Sequence, residues 1–325
     1  MADLDLFKKY SLTKTYHQKV YPDIDPTNPA NSAAGKTVAI SGGHSGIGFA
    51  MARGFCAAGA ATVILLARRQ AVLDEAASAL HAEYGTTVWT YSLDVRDTSA
   101  VSSTFSTIRQ RLGDGGDVDI LIANAAVLDQ GETTLDYDPA VIANSFATNV
   151  FGNLNLARGF LAPELPAVPK TSLLPGLAPI GGAKDTTSVP PPPARAKVLI
   201  EVSTAAAYLL LPGQAVYSTS KLASTHFLRH LQAELDLLPG RPVRVHSFHP
   251  GAVLSPGVRD LGVVEGMMPQ DDESLPGGFA TWLASPAAEF LKGRLVWANW
   301  DVGEMVGMKE RFEAEADFCT VSFKM

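Results

Sequence analysis

From Lys36 onward, short apolar runs rich in β-branched residues alternate with longer, Ala-rich stretches whose apolar positions recur at helical spacing. The short runs fall at residues 37–41, 61–66, 87–92, 120–123, 197–202, 243–248 and 294–298. A strand that passes through a helix and returns to a further strand is a βαβ unit, and successive units build a parallel sheet with helices on both faces. The pattern predicts an α/β protein: one Rossmann-fold domain over residues 36–325, with a doubly wound, seven-stranded parallel sheet.

Two segments break the rhythm. Residues 1–35 carry Pro22, Pro26 and Pro29 and read as an N-terminal extended arm packed on the body or on a neighbour. Residues 163–196 contain Pro163, Pro166, Pro169, Pro175, Pro179 and the run Pro190 to Pro193, so they read as a Pro-rich surface insert without a packed element of its own.

Composition narrows the class of partner. At 325 residues and 46% hydrophobic content the chain can bury a large core. A net charge of -7 offers no basic field for a phosphate backbone, and no polybasic run suits a membrane surface. The expected partners exclude nucleic acid and membrane. Cys56 and Cys319 are too few for a disulfide framework and lack zinc-site spacing. The first 35 residues hold no apolar signal core, and the apolar stretch at 57–67 is about half of the roughly 20 residues a spanning helix needs. The expected location is cytoplasmic. His226 and His230 have helical ligand spacing but no evident third ligand, so no metal is expected.

The chemistry begins at Ser41-Gly42-Gly43-His44-Ser45-Gly46-Ile47-Gly48, between the first strand and a helical stretch at 49–58. Glycines let the backbone turn tightly and approach a pyrophosphate, while the helix N-terminus presents free N–H groups and a positive dipole end. Where dinucleotide-binding folds place an acidic residue for the ribose 2′-hydroxyl, this chain has Ala67 followed by Arg68. Nothing there repels a 2′-phosphate, and Arg68 can hold one as a charge-assisted fork, which favours NADP(H) over NAD(H). Arg69 reads as a solvated residue at a helix start.

Tyr217 and Lys221 stand four residues apart at the start of an amphipathic helix and therefore share one face. A phenol with pKa near 10 trades protons poorly at pH 7, and lowering it by about 3 units requires roughly 4 kcal/mol. One ammonium at about 4 Å supplies roughly that at an effective dielectric near 20.

Taken in order over roughly residues 36–255, these motifs resemble the short-chain dehydrogenase/reductase family. Its turn has the spacing Thr-Gly-x-x-x-Gly-x-Gly, matched by Ser41, Gly42, Gly46 and Gly48, with Ile47 inside it. The resemblance implies that Asp94 and Val95 receive the adenine, and that Asn124, in a segment where Ala123 and Ala126 depart from the family pattern, closes over the adenosine. It makes Tyr217 the proton donor and acceptor, with Lys221 assisting it and holding the nicotinamide ribose. The family's serine thirteen residues before the tyrosine corresponds to Thr204, and a slip of one residue would offer Ser203 instead. Asn149 matches the asparagine that holds a water linking the lysine to solvent. After the sixth strand, the backbone at Val253 would hold the carboxamide, with Ser255 assisting. Residues 256–285 take the place of the substrate lid, and their Met and Leu content implies an apolar pocket.

The implied activity is that of an NADP(H)-dependent oxidoreductase, a ketoreductase or alcohol dehydrogenase acting on the carbonyl or alcohol of a hydrophobic small molecule. The C-terminal run Val296-Trp297-Ala298-Asn299-Trp300-Asp301-Val302 resembles fungal members of secondary metabolism. A homo-oligomer, dimer or tetramer, is implied through long helices at 141–160 and 216–236. Two other readings stay open: a non-redox isomerase or cyclase on the same fold, and an NADP(H)-sensing binding protein.

Overall fold

In the computed structural model the described residues are 5–129, 133–161, 195–237, 240, 243–267 and 269–321. The Pro-rich insert read at 163–196 lies outside them except for its last two residues. Seven strands form one sheet: β1 Thr37–Ser41, β2 Thr62–Ala67, β3 Thr87–Ser92, β4 Ile120–Ala123, β5 Lys197–Val202, β6 Val243–His249 and β7 Leu295–Trp297. All pair in parallel, in the order β3-β2-β1-β4-β5-β6-β7. Strands leave β1 in opposite directions, which opens a crevice beyond the carboxyl ends of β1 and β4. The fold is thus the doubly wound Rossmann architecture expected from the alternation, with shifts of one residue at some strand ends; Ala61 is exposed and the second strand starts at Thr62.

Alternate strand residues feed two cores. Val38 and Ile40 pack with Met51, Phe55, Leu73 and Phe279, from helices α1 Gly46–Ala57, α2 Gln70–Tyr84 and a later helix, Ser274–Ala284. Ala39 and Leu121 pack on the opposite face with Phe105, Phe160 and Leu228. Those three side chains come from α3 Thr98–Leu112, from the helical run that ends in Asn153–Leu161, and from Ala215–Leu235.

Three expectations need correction. The helix expected at 141–160 is a composite of α4 Pro139–Phe146, a π-helical turn Ala147–Gly152 and α5 Asn153–Leu161. It begins with Asp138 accepting from the Ala140 N–H and with Pro139 in the first turn. Its wide turn carries Asn149, whose side chain is bonded outside the helix. The helix with Tyr217 and Lys221, α6 Ala215–Leu235, is continuous.

The lid expected over 256–285 divides. Residues 256–267 include a short helical turn, Pro256–Arg259, and exposed Met267. Beyond them α7 Ser274–Ala284 is core, with Leu275, Phe279, Ala280 and Leu283 fully buried. It crosses α1 so closely that a Cβ on Gly54 would lie 2.6 Å from the Gly277 carbonyl oxygen. A helix locked backbone to backbone in this way does not serve as a lid.

The arm is not simply extended. It contains helical turns at Pro22–Ile24 and Pro29–Asn31, and Ile24 is fully buried. The backbone N–H groups of Lys14 and Thr15 donate to the Glu304 carboxylate at 2.8 and 2.9 Å, and the His17 N–H donates to the Asn299 carbonyl at 2.8 Å. The arm is therefore fastened to the segment that follows β7. Among the described residues, no helix is long and apolar enough to cross a membrane.

Candidate active site

The end of β1 is stitched to the end of β4 before any ligand is considered. Ser41 is wholly buried; its Oγ donates to the Ile122 carbonyl and accepts from the N–H groups of Asn124 and Ala125 at 2.9 and 3.0 Å. Asn124 Nδ2 donates back to the Ser41 carbonyl at 2.9 Å. From this anchor the chain turns through Gly42 with φ +65° and Gly46 with φ +50°. A Cβ on Gly48 would come within 2.2 Å of the Gly42 oxygen, so the turn closes only over glycine. Ser45, the residue before α1, makes no side-chain cap, which leaves the first N–H groups of the helix for another partner.

A cavity of about 450 Å³ runs from this turn to α6. Of the residues singled out in the sequence, Gly42, Gly46, Ile47, Gly48, Arg68, Asp94, Val95, Asn124, Tyr217, Lys221 and Ser255 line it. Ser41, Asn149, Thr204 and Val253 lie outside its lining. The residues present fit a dinucleotide: a glycine cradle that a Cβ would fill, an uncapped helix N-terminus, and exposed Arg68 beside Ala67 where other folds put a carboxylate.

At the end of β3, Asp94 is paired with Arg96 through contacts of 3.0 and 2.6 Å. Those hydrogen bonds hold its carboxyl below the ordinary carboxylate range. Arg96 also donates to Asn144 Oδ1 at 2.9 Å, so the pair is tied to α4.

On α6, Lys221 is 1% exposed and its Nζ donates to the Val202 carbonyl at 2.6 Å. Burial pulls the ammonium pKa down, opposed by the Glu201 carboxylate. Burial pushes the Tyr217 phenol up to about 12; a hydrogen bond with Thr204 works against this and Glu201 adds to it. In the protein alone, burial is the largest influence on the phenol and raises its pKa.

The two candidate hydroxyls before α6 have different surroundings. Thr204 lies close enough to the phenol to lower its pKa, and its Oγ1 accepts from the Ala206 N–H at 3.2 Å. Ser203 lines the cavity, yet its Oγ is 2.7 Å from Thr225 Oγ1. Thr225 and Ser247 both donate to Glu201 Oε2, at 2.9 and 2.8 Å. Asn149, also buried, accepts from the Val127 N–H and donates to the Val127 carbonyl and to Ser220 Oγ, all within 3.0 Å. Its side chain clamps the strand β4 exit against α6.

Beyond β6, Gly251 adopts φ +92° and the Ala252 N–H donates to Asp271 at 2.7 Å. The Val253 carbonyl accepts from the Ser255 N–H at 2.8 Å, and this tight turn brings Ser255 and Pro256 against Gly46. The sequence reading gave no role to His44 and Arg96, which line the cavity, or to Glu201 beneath it. A carboxylate inside the apolar run Val198-Leu199-Ile200-Glu201-Val202 was the available signal for Glu201. Arg69, read as a solvated helix start, borders the cavity as well as being exposed. His226 and His230 face each other with Nε2 atoms 3.3 Å apart, and no group of three metal-ligating side chains occurs among the described residues.

A Rossmann sheet whose crevice holds a glycine turn, a Tyr and a Lys on one helix face defines a class of nucleotide-dependent oxidoreductase. The chain belongs to the short-chain dehydrogenase/reductase family. Residues 36–166 match the family model for short chain dehydrogenase. The chain is 33% identical over 312 residues to short chain dehydrogenase/reductase nsrO of Aspergillus novofumigatus, covering 95% of both chains. It is 32% identical to a short chain dehydrogenase/reductase of Claviceps purpurea, covering 95% of this chain and 93% of that one. Among solved structures, the L-sorbose reductase of Gluconobacter frateurii, complexed with NADPH and L-sorbose, superposes with a TM-score of 0.65 at 23% identity, covering 82% of this chain and 96% of that one. The resemblance to fungal members thus extends over nearly the whole chain, and the family acts on small molecules at CH–OH or C=O groups with a nicotinamide cofactor.

Proposed function

We propose that the protein is an NADP(H)-dependent ketoreductase or alcohol dehydrogenase whose proton carrier is Tyr217. The observation that carries this reading is one cavity bounded by the glycine turn and Arg68 at one end and by Tyr217 and Lys221 at the other. When bound, the nicotinamide cofactor supplies or accepts the hydride. Tyr217 gives its phenolic proton to the substrate oxygen during reduction and takes it back in the reverse direction. Thr204, which lies beside the phenol, donates its hydroxyl proton in a hydrogen bond to the same oxygen. Lys221, held by the Val202 carbonyl, brings positive charge to the phenol and a donor to the nicotinamide ribose. Asn149 fixes α6 relative to the β4 exit, and a water bound there would link Lys221 to solvent.

Arg68 supports NADP(H) over NAD(H), because Ala67 removes the carboxylate that would repel a 2′-phosphate and the one neighbouring carboxylate, Asp94, is neutralised by Arg96. Asp94 and Val95 receive the adenine, Asn124 closes over the adenosine, and Val253 and Ser255 serve the carboxamide. Leu128, Val258 and Pro256 on the cavity wall support a hydrophobic carbonyl or alcohol as substrate. Fungal relatives support a place in secondary metabolism. Exposed Ile142, Phe151 and Phe227 on the two helices at 139–161 and 215–235 support a homo-oligomer, dimer or tetramer.

The test is absorbance at 340 nm with NADPH or NADH and a panel of hydrophobic ketones, repeated with Tyr217→Phe. NADPH consumption well above NADH, lost in the variant, is the expected result. Tight NADPH binding without consumption by any ketone would instead favour the isomerase or the sensor.

A further inference from the structure

The turn after β1 and the end of β2 lie side by side: Ser41 pairs with Leu66, and the Gly42 N–H donates to the Leu66 carbonyl at 2.7 Å. His44 and the arginines Arg68 and Arg69 therefore project from adjacent loops, and all three border the same end of the cavity. The Nδ1 atom of His44 is buried and has no hydrogen-bond partner. A histidine placed against two guanidinium groups, with an idle ring nitrogen and no acid beside it, is poorly matched to the protein alone. It is well matched to an anion.

We propose that His44 joins Arg68 and Arg69 as the third member of the 2′-phosphate subsite and takes up a proton from solvent, fractionally near neutral pH, as NADP(H) binds. This rests on the NADP(H) reading above and adds to it a protonation step. In the protein alone the ring is held neutral near pH 7, because burial first, and then the charges of Arg69 and Arg68, pull its pKa below 6.5. Those are the charged groups facing it; on the far wall Asp94 and Arg96 neutralise each other. A phosphate dianion reverses the field at the ring, so that the imidazolium becomes the favoured form. The proton lands on the imidazole and no covalent bond to the cofactor forms or breaks. A fixed third arginine would repel its neighbours at all times, whereas histidine carries charge only while the anion is present.

Linkage then sets the sign. A group whose pKa rises on binding makes affinity increase as pH falls, by at most about tenfold per pH unit. The decisive experiment is calorimetric titration of the full-length protein with NADPH and with NADH in buffers of different ionisation enthalpy, which counts protons exchanged. Wild type should take up a fraction of a proton with NADPH and none with NADH, and NADPH affinity should rise roughly three- to tenfold from pH 8 to 6.5. His44→Gln should lose the uptake and show at most a small release, since a 2′-phosphate with pKa near 6 sheds its residual proton among cations. His44→Lys, charged throughout, should bind NADPH without uptake. Unchanged uptake in His44→Gln, or none in wild type, overturns the proposal. Arg68→Gln separates the two readings: if it leaves NADPH affinity intact, the NADP(H) assignment itself falls. If it weakens NADPH alone while His44→Gln exchanges protons like wild type, only the role of His44 falls.

Discussion

Lys221 Nζ donates to the Val202 carbonyl at 2.6 Å, which fastens the ammonium to the last residue of β5 one helical turn from Tyr217. A buried ammonium with one backbone partner keeps two donor positions for other acceptors. Replacing it with an apolar chain of similar length removes the charge and spares the packing. Lys221→Met should lower kcat by about 10²- to 10⁴-fold while the melting temperature stays within a few degrees. Steady-state kinetics beside calorimetry checks this, and a comparable kcat would remove Lys221 from the chemistry.

Thr204 and Ser203 divide the hydroxyl roles in a testable way. Thr204 lies beside the phenol, whereas Ser203 bonds Thr225 in the network on Glu201. Thr204→Val should reduce kcat by roughly two orders of magnitude with little change in unfolding free energy. Ser203→Ala should reverse the balance: stability drops by about 1 kcal/mol and turnover is largely kept. Urea unfolding and kinetics on both variants decide which residue faces the reacting oxygen.

His246 and His249 on β6 are buried, with Nδ1 of each ring unpartnered, and burial takes both pKa values down to about 3. Their stabilising contribution is present above the unfolded value of 6.5 and is lost as pH falls toward 3, because the unfolded chain binds protons that the folded chain refuses. Within that window the pair should steepen the loss of stability by up to about 2.7 kcal/mol per pH unit. Urea midpoints at pH 7.5, 5.5 and 4.5 should fall accordingly, and His249→Phe should fall less steeply. An equal slope in the variant would show that His249 is not neutral in the fold.

The contact between Gly54 on α1 and Gly277 on α7 leaves no room for a methyl group. Gly54→Ala should destabilise the protein by about 1–3 kcal/mol despite the better helix propensity of alanine. Thermal unfolding measures the difference, and a stabilised variant would mean that the two helices separate at no cost.

Periodicity and β-branched content were enough for the seven strands, since the inner strands are buried on both faces and so apolar along their length, and each crossover helix must show a 3.6-residue stripe. The candidate chemistry rested on equally short-range patterns. The glycine turn, Arg68 after Ala67, and Tyr217 with Lys221 are short-range patterns whose consequences follow from backbone sterics and helix geometry. The composite helix was harder to see, because its π turn is bound up with Asn149 reaching Val127 and Ser220, and such partners are distant in sequence.

Residue identities by themselves determined the fold class, the dinucleotide cradle and the family. Only the tertiary structure decided the environment of each group: that burial raises the Tyr217 phenol, that Glu201 lies buried under the site, that residues 274–284 are core, and that His44 lines the same cavity as two arginines. The reason is physical. Hydrogen-bond periodicity and glycine stereochemistry act within a few residues, whereas desolvation and Coulomb interaction depend on distances between side chains brought together from different strands and loops.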